Sequence, residues 1–133
     1  MKILGVKFKN INTLTGEWEI RFDQSPIADT RLFAIVGPNG SGKSSILDAI
    51  TLGLYGETAR LKNPECSRLT ASGTESRAEV TFSVMDHLYC SQWVVKQNGH
   101  KPESPDMSLY SLDGEKKLLE IRPIPVRTRI EAV

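Results

Sequence analysis

Residues 37–44 of this chain read GPNGSGKS, which matches the pattern G-x-x-x-x-G-K-[ST] of the phosphate-binding P-loop. This motif requires a strand before it and a helix after it. Residues 32–36 are wholly apolar and end at a glycine, which predicts a strand buried on both faces. Residues 45–55 have helical periodicity, and Gly56 is a plausible stop. The predicted apolar face of this helix comprises Ile46, Leu47, Ile50 and Leu54.

The residue types of the loop suit the binding of a phosphate. Gly40 and Gly42 tolerate positive φ and lack side chains, so the backbone N–H groups can point inward around an anion. The N-terminus of the following helix adds N–H groups and partial positive charge. Lys43 is expected to reach the β- and γ-phosphates of a nucleotide, and the Ser44 hydroxyl is expected to ligate Mg²⁺. Asn39 contacts the γ-phosphate or serves only as a turn former, and the sequence leaves both interpretations open. The predicted nucleotide-binding residues are Gly37, Pro38, Asn39, Gly40, Ser41, Gly42, Lys43, Ser44 and Ser45.

Composition excludes several classes of protein. The 133 residues allow one domain, and 39% apolar with 25% charged residues is typical of a globular chain. Lys and Arg number 17 against 16 Asp and Glu, so bulk charge predicts no nucleic-acid partner. Cys66 and Cys90 belong to no CxxC pattern and are interpreted as packed or idle thiols in a reducing compartment. No apolar run approaches the roughly 20 residues of a spanning helix, and Lys7 and Lys9 interrupt any signal peptide, so we predict a cytoplasmic protein with no membrane partner.

Strand patterns occupy most of the remaining sequence. Residues 3–9 and 16–23 alternate in polarity, which predicts an antiparallel hairpin with a turn at 10–16. Three further alternating stretches predict a β-meander, with turns at residues 86–87, 98–99 and 113–114. The predicted organisation is a single N-terminal ATP-binding lobe, residues 1–133, which comprises 1–61 (hairpin, P-loop and helix), 62–76 (surface loop), 77–121 (β-meander) and 122–133 (the start of a truncated helical region).

Catalytic residues are not assigned by the sequence. Hydrolysis of a nucleotide needs a carboxylate for Mg²⁺ and a group that orients water. Asp86 follows an apolar stretch that Ser83 interrupts, so we interpret Asp86 as a turn residue rather than a catalytic acid. His87 and His100 have no acid or nucleophile placed near them by the sequence and are interpreted as surface residues. The chain is therefore expected to bind nucleotide with little hydrolysis.

Three stretches together resemble the N-terminal ATPase segment of the SbcC nuclease subunit, within the SMC-like DNA-repair ATPases of the ABC class. They are the start of the chain (residues 1–10), the P-loop with its helix (residues 37–50) and the sequence LYGETARL (residues 54–61). The resemblance covers residues 1–61 well and 62–133 only in outline. It implies an α/β fold, the ABC/SMC-like N-terminal lobe of a P-loop NTPase with an antiparallel β-meander, incomplete without its C-terminal lobe.

The resemblance also implies a function and partners. The expected function is ATP binding, with Mg²⁺, in an ATPase that gates a nuclease that processes DNA double-strand breaks. The implied partners are the C-terminal lobe of the same protein, a second copy joined through ATP, a metal-dependent nuclease subunit and DNA. A transporter-type ABC ATPase fragment and a non-catalytic nucleotide-dependent assembly module remain alternatives.

Three individual residues take their interpretation from this resemblance. Arg60 is expected near the DNA-facing surface or the nucleotide, and Lys62 extends the same possible contact; for both, a solvated loop position is the alternative. Asn12 stands where some related repair ATPases have an Arg that reaches nucleotide.

Overall fold

The computed structural model describes residues 1–12, 14–25, 27–30, 34–38, 42–58, 75–98 and 101–121. The elements in chain order are β1 (Lys2–Ile11), β2 (Leu14–Arg21), a short 3-10 helix (Ile27–Asp29), α1 (Lys43–Tyr55), β3 (Glu75–Val84), β4 (His87–Asn98), β5 (Lys101–Pro102), β6 (Asp106–Ser111) and β7 (Lys117–Ile121). The strands form one sheet in the order β2-β1-β3-β4-β6-β7, with β5 paired to β4. All of these pairs are antiparallel.

β1 and β2 form the antiparallel hairpin that the alternating pattern predicts. Their connection is shorter than the polar stretch 10–16 because both strands continue into that stretch. A register shift between Lys9 and Ile11, with φ of 51° at both Asn10 and Asn12, bends the chain at this point. Asparagine adopts the left-handed region more readily than most residues, which explains its use at both positions.

β3, β4, β6 and β7 lie side by side in chain order, so the predicted β-meander is confirmed. Met85 and Asp86 connect β3 to β4 with φ of 49° and 65°, and positive φ at both central residues is the mark of a tight hairpin turn. His87 is consequently the first residue of β4, and the predicted turn at 86–87 is wrong by one position. The turn predicted at 113–114 is confirmed, since Gly114 between β6 and β7 has φ of 74°.

The hydrophobic core lies between α1 and one face of the sheet. On β3 the alternation predicted from sequence is confirmed, because Ala78, Val80 and Phe82 are all fully buried. α1 rests closely on this strand at Gly53, where an added Cβ would lie 2.6 Å from Val80 Cγ2. The buried apolar residues are Val6, Phe8, Ile11, Phe22, Ala49, Leu52, Leu54, Ala78, Val80, Phe82, Cys90, Trp93, Val95, Met107 and Leu109.

The predicted helix is confirmed, and so is its stop. Gly56 has φ of 72°, and its N–H donates to the Leu52 carbonyl oxygen at 2.9 Å. The predicted apolar face is confirmed at Leu54, which is buried, and at Ile46 and Ile50, which pack against the core, but it is wrong at Leu47, which is 55% exposed. The residues of α1 that are buried are Ser45, Asp48, Ala49, Leu52, Gly53 and Leu54. The small residues Ala49 and Gly53 allow α1 to approach the sheet closely, and Leu47 lies outside this contact.

The strand predicted at residues 32–36 is not observed where the structure describes this stretch. Residues 34–38 have no regular secondary structure, Val36 is 86% exposed and Ile35 is 43% exposed. A strand needs a neighbour that satisfies its backbone groups, and among the described strands none pairs with 34–36. The prediction is therefore wrong for 34–36. Residues 32–33, residues 62–74 of the predicted loop and the predicted helical start at 122–133 lie outside the described residues, while 75 and 76 belong to β3.

Candidate functional site

The N-terminus of α1 carries the second half of the P-loop motif. Gly42 is the N-cap residue, with φ of 97° and no side-chain capping bond, and the first bond of the helix runs from the Ile46 N–H to the Gly42 carbonyl oxygen at 3.1 Å. The N–H groups of residues 43–45 have no acceptor within the helix, because helix geometry leaves the first turn unpaired. No acidic residue lies in this turn. The end of α1 is therefore a donor-rich, electropositive position.

Lys43 joins the two ends of the motif. Its Nζ donates to the carbonyl oxygen of Gly37, six residues earlier in the chain. Gly37 and Pro38 are exposed, as is Ser44, whereas Ser45 is buried against the core. An ammonium on the loop side of a helix N-terminus, next to an exposed hydroxyl, is an arrangement suited to an anionic ligand with a cation.

The backbone at Gly42 explains why the motif needs glycine there. Its φ lies in the region that L side chains rarely adopt, and an added Cβ would lie 2.9 Å from Leu14 Cδ2. Leu14 is the first residue of β2, so the β1–β2 turn packs directly against the start of α1. A side chain at position 42 would separate these two elements.

A second contact from the same turn escaped the sequence analysis. The Asn12 side chain donates its Nδ2–H to Asp48 Oδ2 at 2.9 Å, although the two residues are 36 positions apart. Asp48 lies on the buried face of α1. The sequence offered only an asparagine in a turn, and its interpretation rested on a position where relatives carry Arg; the pairing with Asp48 required the packed structure.

Other predicted site residues fall outside the described part of the chain. They are Asn39, Gly40, Ser41, Arg60 and Lys62. Their roles remain predictions.

A family model described as AAA domain matches residues 6–118 of this chain. The chain belongs to the AAA-domain family. The sheet with its covering helix is accordingly a partial α/β P-loop ATPase lobe, in which all of the described strand pairs are antiparallel.

Curated relatives of this AAA domain come from bacteria and archaea. The SbcC component of the nuclease SbcCD from Pseudomonas aeruginosa is 33% identical over 153 residues, which cover 98% of this chain and 13% of the relative. Its counterpart from Rhodobacter capsulatus is 37% identical over 122 residues, covering 77% of this chain and 10% of the relative. The DNA double-strand break repair Rad50 ATPase of Thermoplasma acidophilum is 34% identical over 101 residues, which cover 76% of this chain and 10% of the relative. The chain thus spans about a tenth of the length of these relatives.

These matches confirm the resemblance to the N-terminal ATPase segment of the SbcC nuclease subunit. This AAA domain is a member of the SbcC/Rad50-like ATPases.

The far end of the sheet in this AAA domain carries a histidine–aspartate contact that the sequence did not reveal. His87 is exposed, as predicted, and its Nδ1 lies 2.8 Å from Asp113 Oδ2, an acid that the sequence did not place near it. The Leu88 N–H donates to Asp113 Oδ1 at 3.0 Å, and this bond, with the His87 contact, holds the pKa of Asp113 below its usual value. Asp86 is an exposed turn residue, as predicted. The pair links the β3–β4 and β6–β7 turns.

Cys90 is a packed thiol, as the sequence suggested. Burial is the main cause that raises its pKa to about 12, so the thiol remains protonated at neutral pH. Cys66 lies outside the described residues. Among the residues that the structure describes, no group of three or more His, Cys, Asp or Glu side chains is arranged to hold a metal ion. Within the same ranges, no helix has the length and apolar character needed to cross a membrane.

Proposed function

We propose that this chain is the ATP-binding lobe of an SbcC-like ATPase that controls a nuclease acting at DNA double-strand breaks. The observation that carries the proposal is the P-loop sequence at the N-terminus of α1, with Lys43 directed back to Gly37. The names of the relatives, a nuclease subunit and a double-strand break repair ATPase, support the class of process. ATP bound between two copies would favour the state in which the copies are joined, because it would bind that state more tightly than the open one.

The described residues fit a magnesium nucleotide. The unpaired N–H groups at the start of α1 and the ammonium of Lys43 would hold the phosphates. Ser44, exposed in the first turn, would offer its hydroxyl oxygen to Mg²⁺, a cation that prefers oxygen ligands. The start of α1 requires glycine at position 42, because the φ of 97° and the contact with Leu14 exclude a side chain. Mg²⁺ when bound would neutralise phosphate charge.

The partners follow from the same proposal. By the resemblance to the SbcC segment, a hydrolytic carboxylate would come from a C-terminal lobe of the same protein. That lobe, a second copy of the chain, a metal-dependent nuclease subunit and DNA are the proposed partners, and the cytoplasm is the proposed location.

Titration calorimetry with Mg-ATP tests the proposal. Lys43→Ala should weaken binding roughly 10- to 150-fold, because a charge-assisted contact with phosphate is worth about 1.5–3 kcal/mol. Ser44→Ala should instead reduce the dependence of binding on Mg²⁺. Lys117→Ala, which removes an exposed lysine from β7, is the matched control and should leave the affinity unchanged.

Two outcomes would contradict the proposal. Equal affinity for Mg-ATP in Lys43→Ala and in the unmodified chain would refute the assignment of residues 37–44 as a P-loop. ATP-dependent DNA cleavage by a co-expressed nuclease subunit that persists undiminished with Lys43→Ala would remove the gating role.

A further inference from the structure

The β1–β2 turn is held firmly to the start of β3. The Asn10 Nδ2–H donates to the Glu75 carbonyl oxygen at 3.0 Å, and the Ser76 hydroxyl donates to the Asn10 carbonyl oxygen at 2.6 Å. The Gly16 N–H donates to Asn10 Oδ1 at 2.7 Å, and this bond joins β2 to β1 across the turn. Ser76 is fully buried. The turn is therefore anchored to the sheet rather than projecting from it.

This anchored turn contacts α1 on both sides of Lys43 and Ser44. Before them, Leu14 packs against Gly42, close enough that a Cβ on residue 42 would clash. After them, Asp48 lies four residues beyond Ser44, one helical turn along α1, and accepts the Asn12 bond at 2.9 Å. Two points of attachment on a helix end fix both its position and its rotation.

We infer that Asn12 and Leu14 are positioning residues that hold the N-terminal turn of α1 in its anion-binding geometry. The physical reason is preorganisation: helix ends fray, and donors that are already aligned cost less ordering when a ligand arrives. Asn12 acts through Asp48, and Leu14 acts through Gly42. The inference rests on the proposed function for its ligand, but it also predicts a property of the protein without nucleotide.

Asn12→Gly is the most informative substitution. Glycine accepts the φ of 51° at this position, so the change removes the amide without straining the backbone. Amide hydrogen exchange at Ile46, whose N–H donates to the Gly42 carbonyl oxygen in the first turn of α1, should become roughly threefold faster or more when measured without nucleotide. Affinity for Mg-ATP should fall about three- to tenfold. Leu14→Ala should act in the same direction.

Gln92→Ala is the matched control. Gln92 donates its side-chain amide to the Glu79 carboxylate between β4 and β3, a bond of the same chemical kind. Glu79 is followed in β3 by Val80, which faces Gly53 of α1. Successive side chains of a strand lie on opposite faces, so Glu79 and its cross-strand partner Gln92 lie on the face of the sheet away from α1. Its removal should lower thermal stability without changing either the exchange at Ile46 or the affinity for ATP.

The inference is overturned if Asn12→Gly leaves the exchange at Ile46 unchanged, or if Gln92→Ala raises it equally. It is also overturned if exchange rises while ATP affinity stays constant. If the unmodified chain fails to bind Mg-ATP, the proposed function fails, and the exchange measurement alone still decides whether the turn positions the helix end.

Discussion

Gly53→Ala should destabilise the domain even though alanine is the better helix former. Helix propensity alone favours alanine over glycine by about 1 kcal/mol. The new Cβ would lie 2.6 Å from Val80 Cγ2, whereas carbon atoms pack at about 3.5–4.0 Å, so α1 or Val80 must move by about 1 Å. Val80 is fully buried and β-branched, which leaves it little rotational freedom. Overpacking costs about 1–3 kcal/mol, and at this separation we expect the upper part of that range and a net loss of about 1–2 kcal/mol.

Thermal and urea denaturation of four proteins would measure this effect: the unmodified chain, Gly53→Ala, Val80→Ala and the double variant. A loss of 1 kcal/mol lowers the melting temperature of a domain of this length by about 4 °C. Val80→Ala alone leaves a cavity, which the Cβ of the new alanine partly fills in the double variant. The free energy of unfolding of the double variant should therefore be higher, by about 1 kcal/mol or more, than the value expected from adding the losses of the two single variants.

Leu47→Ala, on the exposed side of α1, serves as a control for substitution in this helix and should change stability by less than about 0.5 kcal/mol. A higher melting temperature for Gly53→Ala, or strict additivity with Val80→Ala, would refute the close approach of α1 to β3.

Two further predictions concern titratable groups. In a Cys66→Ser background, Cys90 should react slowly with a thiol reagent at pH 8 and rapidly only after unfolding in urea, because burial raises its pKa to about 12; complete native labelling within minutes would contradict this. The pKa of Asp113 is lowered by the Leu88 N–H and by His87, so its contribution to stability is present above its usual pKa of 3.8 and is lost as the pH falls through the lower folded value. Asp113→Asn should therefore lessen the fall in melting temperature below about pH 4, and identical pH profiles for the two proteins would show that the pair contributes nothing.

Patterns that depend on neighbours in sequence were predictable. The period of two at residues 78, 80 and 82 identified the buried side of β3, and Asp113-Gly114 identified a hairpin turn. The P-loop sequence and the periodicity after it predicted a helix over residues 45–55, and α1 begins two residues earlier, at Lys43, because the motif itself contains the first turn. In each case the information lies within a few residues, where backbone preferences and side-chain alternation act.

The errors arose where a choice depended on distant residues. The periodicity of α1 placed Leu47 on the buried face with Ile46, Ile50 and Leu54, but the helix approaches the sheet at Gly53 and leaves Leu47 exposed. His87 contacts Asp113 because the meander brings the β3–β4 and β6–β7 turns to the same end of the sheet. Neither choice can be read from a local period.

The sequence by itself therefore determined the phosphate-binding motif, the helix that follows it, the first hairpin and the β-meander. Tertiary structure alone decided that residues 34–36 do not join a sheet with the described strands, and that Asn12 and Leu14 flank the start of α1. The reason is physical: a hydrogen bond or a packing contact between residues 36 positions apart exists only after the chain has closed that distance. Which residues then contact each other depends on which elements are packed together in the core.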